Sequence, residues 1–340
     1  MSVGAQKAAA PAGGPRKGKS WFQVSDELAL LQLIVLAMII GTILHPAFFT
    51  QRNIVNILQQ SSELSVLVFA EAIILIVGKF DLSLESIVGL APMVAAWLVL
   101  DTALNGSGLE ANAFVAILAL FAVGVAVGLV NGFLIVRMGL NAFITTLAML
   151  ILLRGIAIGM TNGRTLYDLP APLLYLGNAR WLGLPASVWV SAILYLVGFL
   201  ILTYHRWGRA LYAIGGNAEA ARAAGIRVDQ YIWTVFAVAG GLAALSGLML
   251  TGRMASVLSG QGQNMIFTVF AAAVIGRISL NGGKGSIIGA LLGVILLGII
   301  SNILTLSNIE TFWISATYGA IILFSLILTR LTSGRSYRTD

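Results

Sequence analysis

Ten stretches of mostly apolar sequence recur along this chain, each about as long as a membrane helix, and they limit what it can fold into. A helix needs roughly 20 such residues to cross the hydrocarbon core of a bilayer. Of the 340 residues, 59% are hydrophobic and only 10% are charged. One soluble core stops growing at roughly 250–300 residues. The sequence therefore predicts an all-α, polytopic membrane protein with about ten transmembrane helices.

Short polar segments separate the predicted spans, which are 28–45, 61–78, 84–100, 112–136, 142–160, 187–204, 231–251, 264–280, 286–304 and 311–330. Gly and charged residues interrupt the pattern at 79–85 and at 277–285, so broken or re-entrant helices are expected there. We interpret 51–60 as a short amphipathic helix on the membrane surface. An external gate helix is the alternative.

The distribution of Lys and Arg predicts how the chain is oriented. With a cytoplasmic N-terminus, 15 of the 20 basic residues fall inside, four fall outside, and Arg154 lies within a span. The inside set is Lys7, Arg16, Lys17, Lys19, Lys79, Arg137, Arg206, Arg209, Arg222, Arg227, Arg277, Lys284, Arg330, Arg335 and Arg338. The positive-inside rule then places both termini in the cytoplasm. A basic rim beside the lipid bilayer also explains the net charge of +7 without nucleic acid.

The composition of the ends and the scarcity of metal ligands complete this outline. Residues 1–25 are rich in Ala, Gly, Pro and Lys, which is typical of a disordered cytoplasmic tail. Residues 26–332 form the predicted transmembrane domain, with a cytoplasmic loop at 205–230, and 333–340 form a cytoplasmic C-terminal tail. The chain has no Cys and two distant His residues, so no metal site is expected.

Two interruptions in the apolar pattern resemble each other. Val77-Gly78-Lys79-Phe80-Asp81-Leu82-Ser83 and Ile275-Gly276-Arg277-Ile278-Ser279-Leu280-Asn281 share the order aliphatic, Gly, basic, apolar, short polar, Leu, short polar. Ser86-Ile87-Val88-Gly89 and Ser286-Ile287-Ile288-Gly289 follow them. The match predicts an internal repeat, an arrangement that transport proteins often combine with broken helices.

The loop at 205–230 contains a strong helix signal. Gly215-Gly216 is expected to break the chain, and Asn217 is the N-cap candidate. The Ala-rich run that follows includes Glu219, Ala221 and Arg222, and Gly225 is a natural stop. Glu219 suits the positive end of a helix. We expect about two turns of helix that dock on a cytoplasmic partner, the alternative being a solvated connector.

Two ionisable residues stand out because they lie well inside predicted spans. Glu71 is in the second span and Arg154 is in the fifth. Such groups are expensive in a membrane and mark functional sites by default. We interpret them as a pair, either a structural ion pair or part of the lining of a translocation path.

Five further polar residues are candidates for that path. Asp81 and Ser83 are placed to cap the helix that begins at Leu84, or to act as a gate at its break. Asn141 lies near a span end, where it can bond a solute or a neighbouring helix. Ser279 and Asn281 occupy the corresponding positions of the second break.

Four motifs resemble those of sugar ABC transporter permeases of the ribose type. Residues 78–83 resemble the Gly-Gly-Ile-Asp-Leu-Ser signature, and 141–155 are similar to Pro-Phe-Ile-x-Thr-Leu followed by Arg-Gly. Residues 212–226 resemble the loop that contacts the ATPase, and 274–286 resemble the Ile-Gly-Gly-x-Ser-Leu-x-Gly-Gly-Arg-Gly-Ser block. The departures are Lys79 and Arg277, where the family usually has Gly, and Leu84-Glu85 for Val-Gly.

The resemblance implies a transport subunit and not an enzyme. It implies a permease of an ATP-driven importer in the inner membrane, present as a homodimer or paired with a second permease. A cytoplasmic ATP-binding subunit would hold the ATP, and a periplasmic binding protein would deliver a monosaccharide or similar small polar solute. No cofactor is expected on the chain itself, which has no phosphate-binding Gly-x-x-x-x-Gly-Lys-Ser/Thr motif. The alternatives are an ion-driven secondary transporter and an ABC permease for a nucleoside or another non-sugar cargo.

Overall fold

The protein's structure is a computed structural model that describes residues 20–333. Over this range the chain is almost entirely helical. The α-helices are α1 Ser20–Leu44, α2 Gln51–Ile76, α3 Leu84–Val99, α4 Ala113–Gly132, α5 Ala142–Met160, α6 Ala171–Asn178, α7 Ala186–Tyr204, α8 Arg206–Gly216, α9 Ala218–Ala223, α10 Val228–Met254, α11 Met265–Ile275, α12 Ile287–Leu306 and α13 Thr311–Ser333.

Three smaller elements connect them. A 3-10 turn covers Thr102–Leu104, and a π-helical turn at Phe133–Arg137 extends α4. Strands β1 Arg180–Trp181 and β2 Leu184–Pro185 form an antiparallel hairpin between α6 and α7.

Each predicted span corresponds to one apolar helix. Within the described residues, seven helices are long and apolar enough to cross a membrane, namely α1, α2, α4 with its π turn, α5, α7, α10 and α12. The other three predicted spans correspond to shorter apolar helices, α3, α11 and the first part of α13. The all-α, polytopic architecture is therefore confirmed, and α3 and α11 adjoin the two predicted breaks.

Helix α2 lies at the centre of the bundle. It packs against α3, α7, α10, α11 and α12, and every residue from Ser65 to Val77 is buried. Helix α10 lies between α2 and α4, and its approach to α4 depends on glycine. A Cβ at Gly124 would overlap the carbonyl oxygen of Gly240, so the two backbones are in direct contact. Membrane helices commonly use small residues in this way.

The prediction of a separate surface helix at 51–60 is wrong. Thr50 caps α2, because its side chain accepts a hydrogen bond from Asn53 N, and the helix then continues unbroken to Ile76. The side-chain amides of Asn53 and Asn302 bond each other at 2.9 Å, which joins α2 to α12. Asn53 and Gln59 are half-buried and bond neighbouring segments, whereas Gln51, Arg52, Asn56 and Gln60 stay exposed.

The predicted tails lie mostly outside the described residues. Helix α1 begins at Ser20, so the last part of the segment predicted as a disordered tail, 20–25, is helical. Residues 1–19 and 334–340 fall outside the description.

Helix α11 is too short to cross a bilayer, and a loop precedes it. At 1.5 Å per residue, its 11 residues span roughly 16 Å. In that loop the buried Gln261 donates from Nε2 to Val88 O, Gly247 O and Thr251 Oγ1, at 3.1–3.3 Å. Irregular backbone at membrane depth requires such internal partners. The break expected at 277–285 follows α11, and the loop before α11 is a second interruption that was not predicted.

Candidate functional site

The break between α2 and α3 begins with a Schellman ending of α2. Gly78 has φ +73°, the left-handed conformation that glycine adopts without strain. Gly78 N donates to Leu75 O at 2.9 Å, and Lys79 N donates to Ile74 O at 3.1 Å. These two bonds satisfy carbonyls that the end of a helix leaves without partners. The chain then continues through Asp81 into α3.

The break contains a buried polar cluster. The Asp81 carboxylate accepts from Ser83 N at 2.9 Å and from Ser83 Oγ at 2.6 Å. Asn131 Nδ2 donates to Ser83 Oγ at 2.8 Å and lies 3.4 Å from Asp81 Oδ2, which ties the break to α4. Leu82 N donates to Thr146 Oγ1 on α5 at 3.2 Å. We call Glu71, Asp81, Ser83, Asn131 and Thr146 the break cluster.

The capping role predicted for Ser83 is wrong. Ser83 occupies the N-cap position of α3, but its side chain makes no cap hydrogen bond. Its hydroxyl donates to Asp81 instead, and Asp81 organises the turn. The reason is that Asp81 is an anionic acceptor only two residues away, and charge-assisted hydrogen bonds are the stronger ones.

The predicted pairing of Glu71 with Arg154 is also wrong. Glu71 is fully buried, and its Oε1 accepts from Asp81 N at 3.4 Å. Arg154 forms its ion pair with Glu85 in the first turn of α3. The second Glu85 oxygen accepts from Ile266 N, at the start of α11, at 3.1 Å. Glu85 therefore joins α3, α5 and α11, and Glu71 belongs to the break cluster.

Two buried oxygens of the break cluster form no hydrogen bond with the described part of the protein. Among the residues that the structure describes, Glu71 Oε2 and Asn131 Oδ1 have no hydrogen-bond partner. A buried polar atom without a partner is costly. The cluster can thus accept hydrogen bonds from a polar solute that reaches it. Over the same described range, no group of three or more His, Asp or Glu side chains is placed to hold a metal ion.

Sequence reasoning missed several of these polar residues. It overlooked Glu85, Thr146 and Gln261, and it also missed the ion pair of Glu63 with Arg253 between α2 and α10. Glu63 lies in the predicted second span, so an acidic residue in apolar sequence was an available signal. Thr and Gln give no such signal, because both are common in loops and on helices.

The second break repeats the helix ending of the first. Arg277 has φ +60°, its N donates to Val274 O at 2.9 Å, and Ile278 N donates to Ala273 O at 2.9 Å. Arg277 thus occupies the position that Gly78 occupies in α2. The following serines differ, because Ser286 caps α12 by accepting from Gly289 N, whereas Ser86 lies inside α3 and donates to Leu150 O. The two breaks therefore share their geometry at the ends of α2 and α11 and differ after it. The internal repeat stays a prediction.

The remaining path candidates lie away from the break cluster. Ser279 Oγ accepts from Asn281 N at 3.2 Å inside the turn that follows α11. Ser279 N also donates to Lys284 O at 3.0 Å, which closes this turn. Asn141 caps α5 by accepting from Ile144 N at 3.2 Å and is exposed. The structure therefore brings together Glu71, Asp81 and Ser83, and it places the other candidates in local turns and caps.

The predicted short helix in the loop 205–230 is present as α9. Asn217 Oδ1 accepts from Ala220 N at 3.0 Å, and Gly225, with φ +82°, ends the helix in a Schellman arrangement. Ala221 is 4% exposed and anchors the helix, whereas Glu219 and Arg222 are exposed. Arg222 also pairs with Asp229 at 2.8 Å. Gly215-Gly216 does not break the chain as predicted, since both residues belong to the last turn of α8.

A tyrosine holds α8 to the turn before α12. Tyr212 Oη donates to Gly285 O at 3.0 Å. Burial raises the pKa of Tyr212 above its usual value, so the hydroxyl keeps the proton that it donates. Helix α8, and with it α9, is thereby attached to the second break.

Comparison with known proteins identifies a family and several relatives that are also permeases. Residues 53–328 match the family described as branched-chain amino acid transport system, permease component. The chain is 35% identical over 314 residues to the ribose import permease protein RbsC of Escherichia coli K12, covering 91% of this chain and 94% of that protein. It is 32% identical over 320 residues to the L-arabinose transport system permease protein AraH of the same strain, covering 94% of each.

A third relative is the L-arabinose ABC transporter permease protein AraH of Azospirillum brasilense, 31% identical over 312 residues, with 92% of this chain and 89% of that protein covered. These matches confirm the resemblance to ribose-type permeases that the four motifs indicated. They also confirm that the chain is a transport component and not an enzyme. The protein is a member of the branched-chain amino acid transport system permease family.

Proposed function

We propose that the chain is the permease subunit of an ATP-driven importer for a monosaccharide. The observation that carries the proposal is α9, a capped helix with an exposed polar face, in a chain whose relatives include one named an ABC transporter permease. Two relatives are named for L-arabinose and one for ribose, which supports a small sugar as the cargo. The proposed location is the inner membrane, with both termini in the cytoplasm.

In this proposal α9 is the contact for a cytoplasmic ATP-binding subunit. The coupling residues are Asn217, Glu219, Ala221, Arg222 and Gly225. Asn217 and Gly225 fix the two ends, buried Ala221 anchors the helix, and exposed Glu219 and Arg222 face the partner. ATP binds to that partner. ATP binding can shift the permease from one access state to another only if the partner contacts α9 differently in the two states.

Three further parts complete the proposed importer. A second permease, either another copy of this chain or a related one, supplies a second α9, since each ATP-binding subunit needs its own contact. A periplasmic binding protein delivers the sugar to the opposite side of the membrane. The relatives are named as permeases, and this division of labour between subunits is inferred from that class.

The break cluster is the proposed polar part of the translocation path. Glu71 Oε2 and Asn131 Oδ1 are acceptors without partners among the described residues, and a sugar hydroxyl is a suitable donor. Asp81 is buried at the break between two helices, where a change in helix position would expose it. Asp81→Ala is therefore expected to reduce sugar uptake more than Asp81→Asn, because the amide keeps an oxygen that accepts from Ser83.

The test is uptake by proteoliposomes that contain this chain with its ATP-binding and binding-protein subunits. Uptake of radiolabelled D-ribose and L-arabinose is measured with ATP inside the vesicles, with and without ATP hydrolysis. The expected result is ATP-dependent accumulation of one of these sugars. The Glu219→Ala, Arg222→Ala double variant is expected to weaken assembly with the ATP-binding subunit. The control is Lys79→Ala, on the α2–α3 break, which tests whether loss of any charge near α9 has the same effect.

The same assay separates the alternatives. Uptake by the chain alone, driven by an ion gradient, would establish a secondary transporter. ATP-dependent uptake of a nucleoside in place of both sugars would keep the importer and change the cargo. Normal assembly and uptake by the double variant of Glu219 and Arg222 would remove α9 from the coupling site.

A further inference from the structure

The last turn of α8 lies directly against the end of α2. A Cβ at Gly215 would overlap both Ile76 O and Gly283 N, so no larger residue fits between these segments. Both obstacles are backbone atoms, which cannot rotate away as a flexible side chain can. Glycine at position 215 is therefore what allows α8 to touch α2.

The turn before α12 completes this contact. Gly283 N donates to Ile76 O at 2.9 Å, so the turn is hydrogen-bonded to the last residue of α2. A Cβ at Gly282 would lie 2.7 Å from the Cα of Gly78 and 2.8 Å from Gly215 O. We call Ile76, Gly78, Gly215, Gly282 and Gly283 the glycine junction. It brings the backbones of α2, α8 and the second break together at one point.

Helix α9 is attached to this junction through one residue. Asn217 N donates to Ala213 O at 3.0 Å and ends α8, while Asn217 Oδ1 accepts from Ala220 N and begins α9. With one capped residue between them, the two helices have no flexible linker. A displacement of α9 therefore moves the last turn of α8, and packed backbone has few other arrangements available to absorb that movement.

The junction also lies beside both helix breaks. On α2 it includes Gly78, three residues before Asp81 of the break cluster. On the other side, Gly282 and Gly283 belong to the turn that leads to Ser286, the cap of α12. Tyr212 adds a second attachment to this turn through its bond to Gly285 O. One movement of α8 thus reaches the start of α3 and the start of α12 together.

We propose that the glycine junction transmits movement from α9 to both helix breaks, with Gly215 and Gly283 as positioning residues that couple the ATP-binding subunit to the translocation path. The proposal rests on the proposed function, because it requires an ATP-driven partner at α9. It adds how that partner's movement, passed from α9 to α8, reaches α2 and α12 inside the bundle.

The test compares Gly215→Ala with Gly216→Ala in the full complex in proteoliposomes. The Cβ of Gly216 would meet no atom within 4 Å among the described residues, so this neighbour in the same helical turn is a matched control. The readout is the number of sugar molecules transported per ATP hydrolysed, with D-ribose and L-arabinose as probes. We expect this ratio to fall about tenfold in Gly215→Ala and to stay at the wild-type value in Gly216→Ala.

A milder variant covers the case in which Gly215→Ala does not fold. Tyr212→Phe keeps the ring and removes one hydrogen bond to the turn, so assembly with the ATP-binding subunit is expected to persist. The number of sugar molecules transported per ATP hydrolysed is expected to fall about threefold, which is the size of effect that loss of one hydrogen bond produces. A wild-type ratio in Tyr212→Phe would overturn the proposal, whatever Gly215→Ala does.

The design separates this proposal from the function on which it rests. If the wild-type chain assembles with no ATP-binding subunit, or transports neither sugar with ATP, the proposed function fails. If the wild type transports with ATP and Gly215→Ala has the same ratio of sugar to ATP, only the transmission through the glycine junction fails.

Discussion

Arg253, in the last turn of α10, donates from Nε to both carboxylate oxygens of Glu63 in α2, at 2.8 and 2.9 Å. The Glu63 side chain is 3% exposed, so Arg253 is the charge partner of a carboxylate that lies inside the bundle. The bond fixes the height of α10 against α2. It also gives a direct test of how much buried ion pairs contribute to this fold.

Glu63→Gln and Arg253→Gln are each expected to destabilise the protein. Arg253→Gln leaves an uncompensated buried carboxylate and is expected to cost about 3 kcal/mol. The double variant is expected to lose less than the sum of the two single losses, by about 1 kcal/mol or more. The free energy of unfolding, measured by denaturant titration in detergent micelles, checks this. Additive losses would contradict the pairing.

Arg154 is expected to couple with Glu85 and not with Glu71. The Glu85→Gln, Arg154→Gln cycle should be non-additive, because one ion pair joins α3 and α5. In the Glu71→Gln, Arg154→Gln cycle the losses should add within about 0.5 kcal/mol. The same unfolding measurement serves both cycles. A large coupling between Glu71 and Arg154 would show that the two side chains meet in the membrane after all.

Two glycines inside helices are expected to respond to alanine in opposite directions. A Cβ at Gly128 in α4 would overlap Phe236 O in α10, so Gly128→Ala is expected to cost about 1–3 kcal/mol through overpacking. At Gly155 in α5 a Cβ would meet no atom within 4 Å among the described residues. Gly155→Ala is therefore expected to stabilise the protein by about 0.5–1 kcal/mol. Equal melting temperatures for both variants would argue against the close contact of α4 and α10.

Asn217→Ala is expected to loosen α9 while leaving the membrane bundle intact. Loss of an N-cap oxygen costs about 1 kcal/mol, and here the loss falls on a helix of six residues. Hydrogen exchange at the α9 amides should become faster, with exchange in α2 and α10 unaltered. Asn217→Asp keeps an acceptor and is the control. Unaltered exchange in Asn217→Ala would mean that packing of Ala221 alone holds the helix.

The parts of the fold that depend on local chemistry could be predicted. Apolar length identified the seven helices of the described residues that are long enough to cross a bilayer, since the bilayer thickness sets that length. Asn217 and Gly225 identified the ends of α9, because a cap is formed within a few residues of its own chain. The Gly in the first break identified the end of α2 for the same reason.

The errors came from contacts between distant segments. Arg154 and Glu71 were the conspicuous charges, but which carboxylate meets Arg154 depends on how α3 and α5 are rotated and placed. The segment 51–60 resembles a separate surface helix in sequence, because nothing in it shows that the helix beginning at Gln51 continues unbroken to Ile76. Gln261 gave no periodic signal, since it lies in a loop, and its importance comes from hydrogen bonds to the distant helices α3 and α10.

The central position of α2 has a consequence for how the protein enters the membrane. Its most apolar stretch is the least hydropathic among the seven long spans, and it carries Glu63 and Glu71, ionisable groups that are expensive inside a membrane. In the folded protein Arg253 of α10 offsets one of them, and α10 is synthesised much later. When α2 is first synthesised, Glu63 therefore has no partner yet in α10. The helix that the finished bundle surrounds is the one least able to enter lipid by itself.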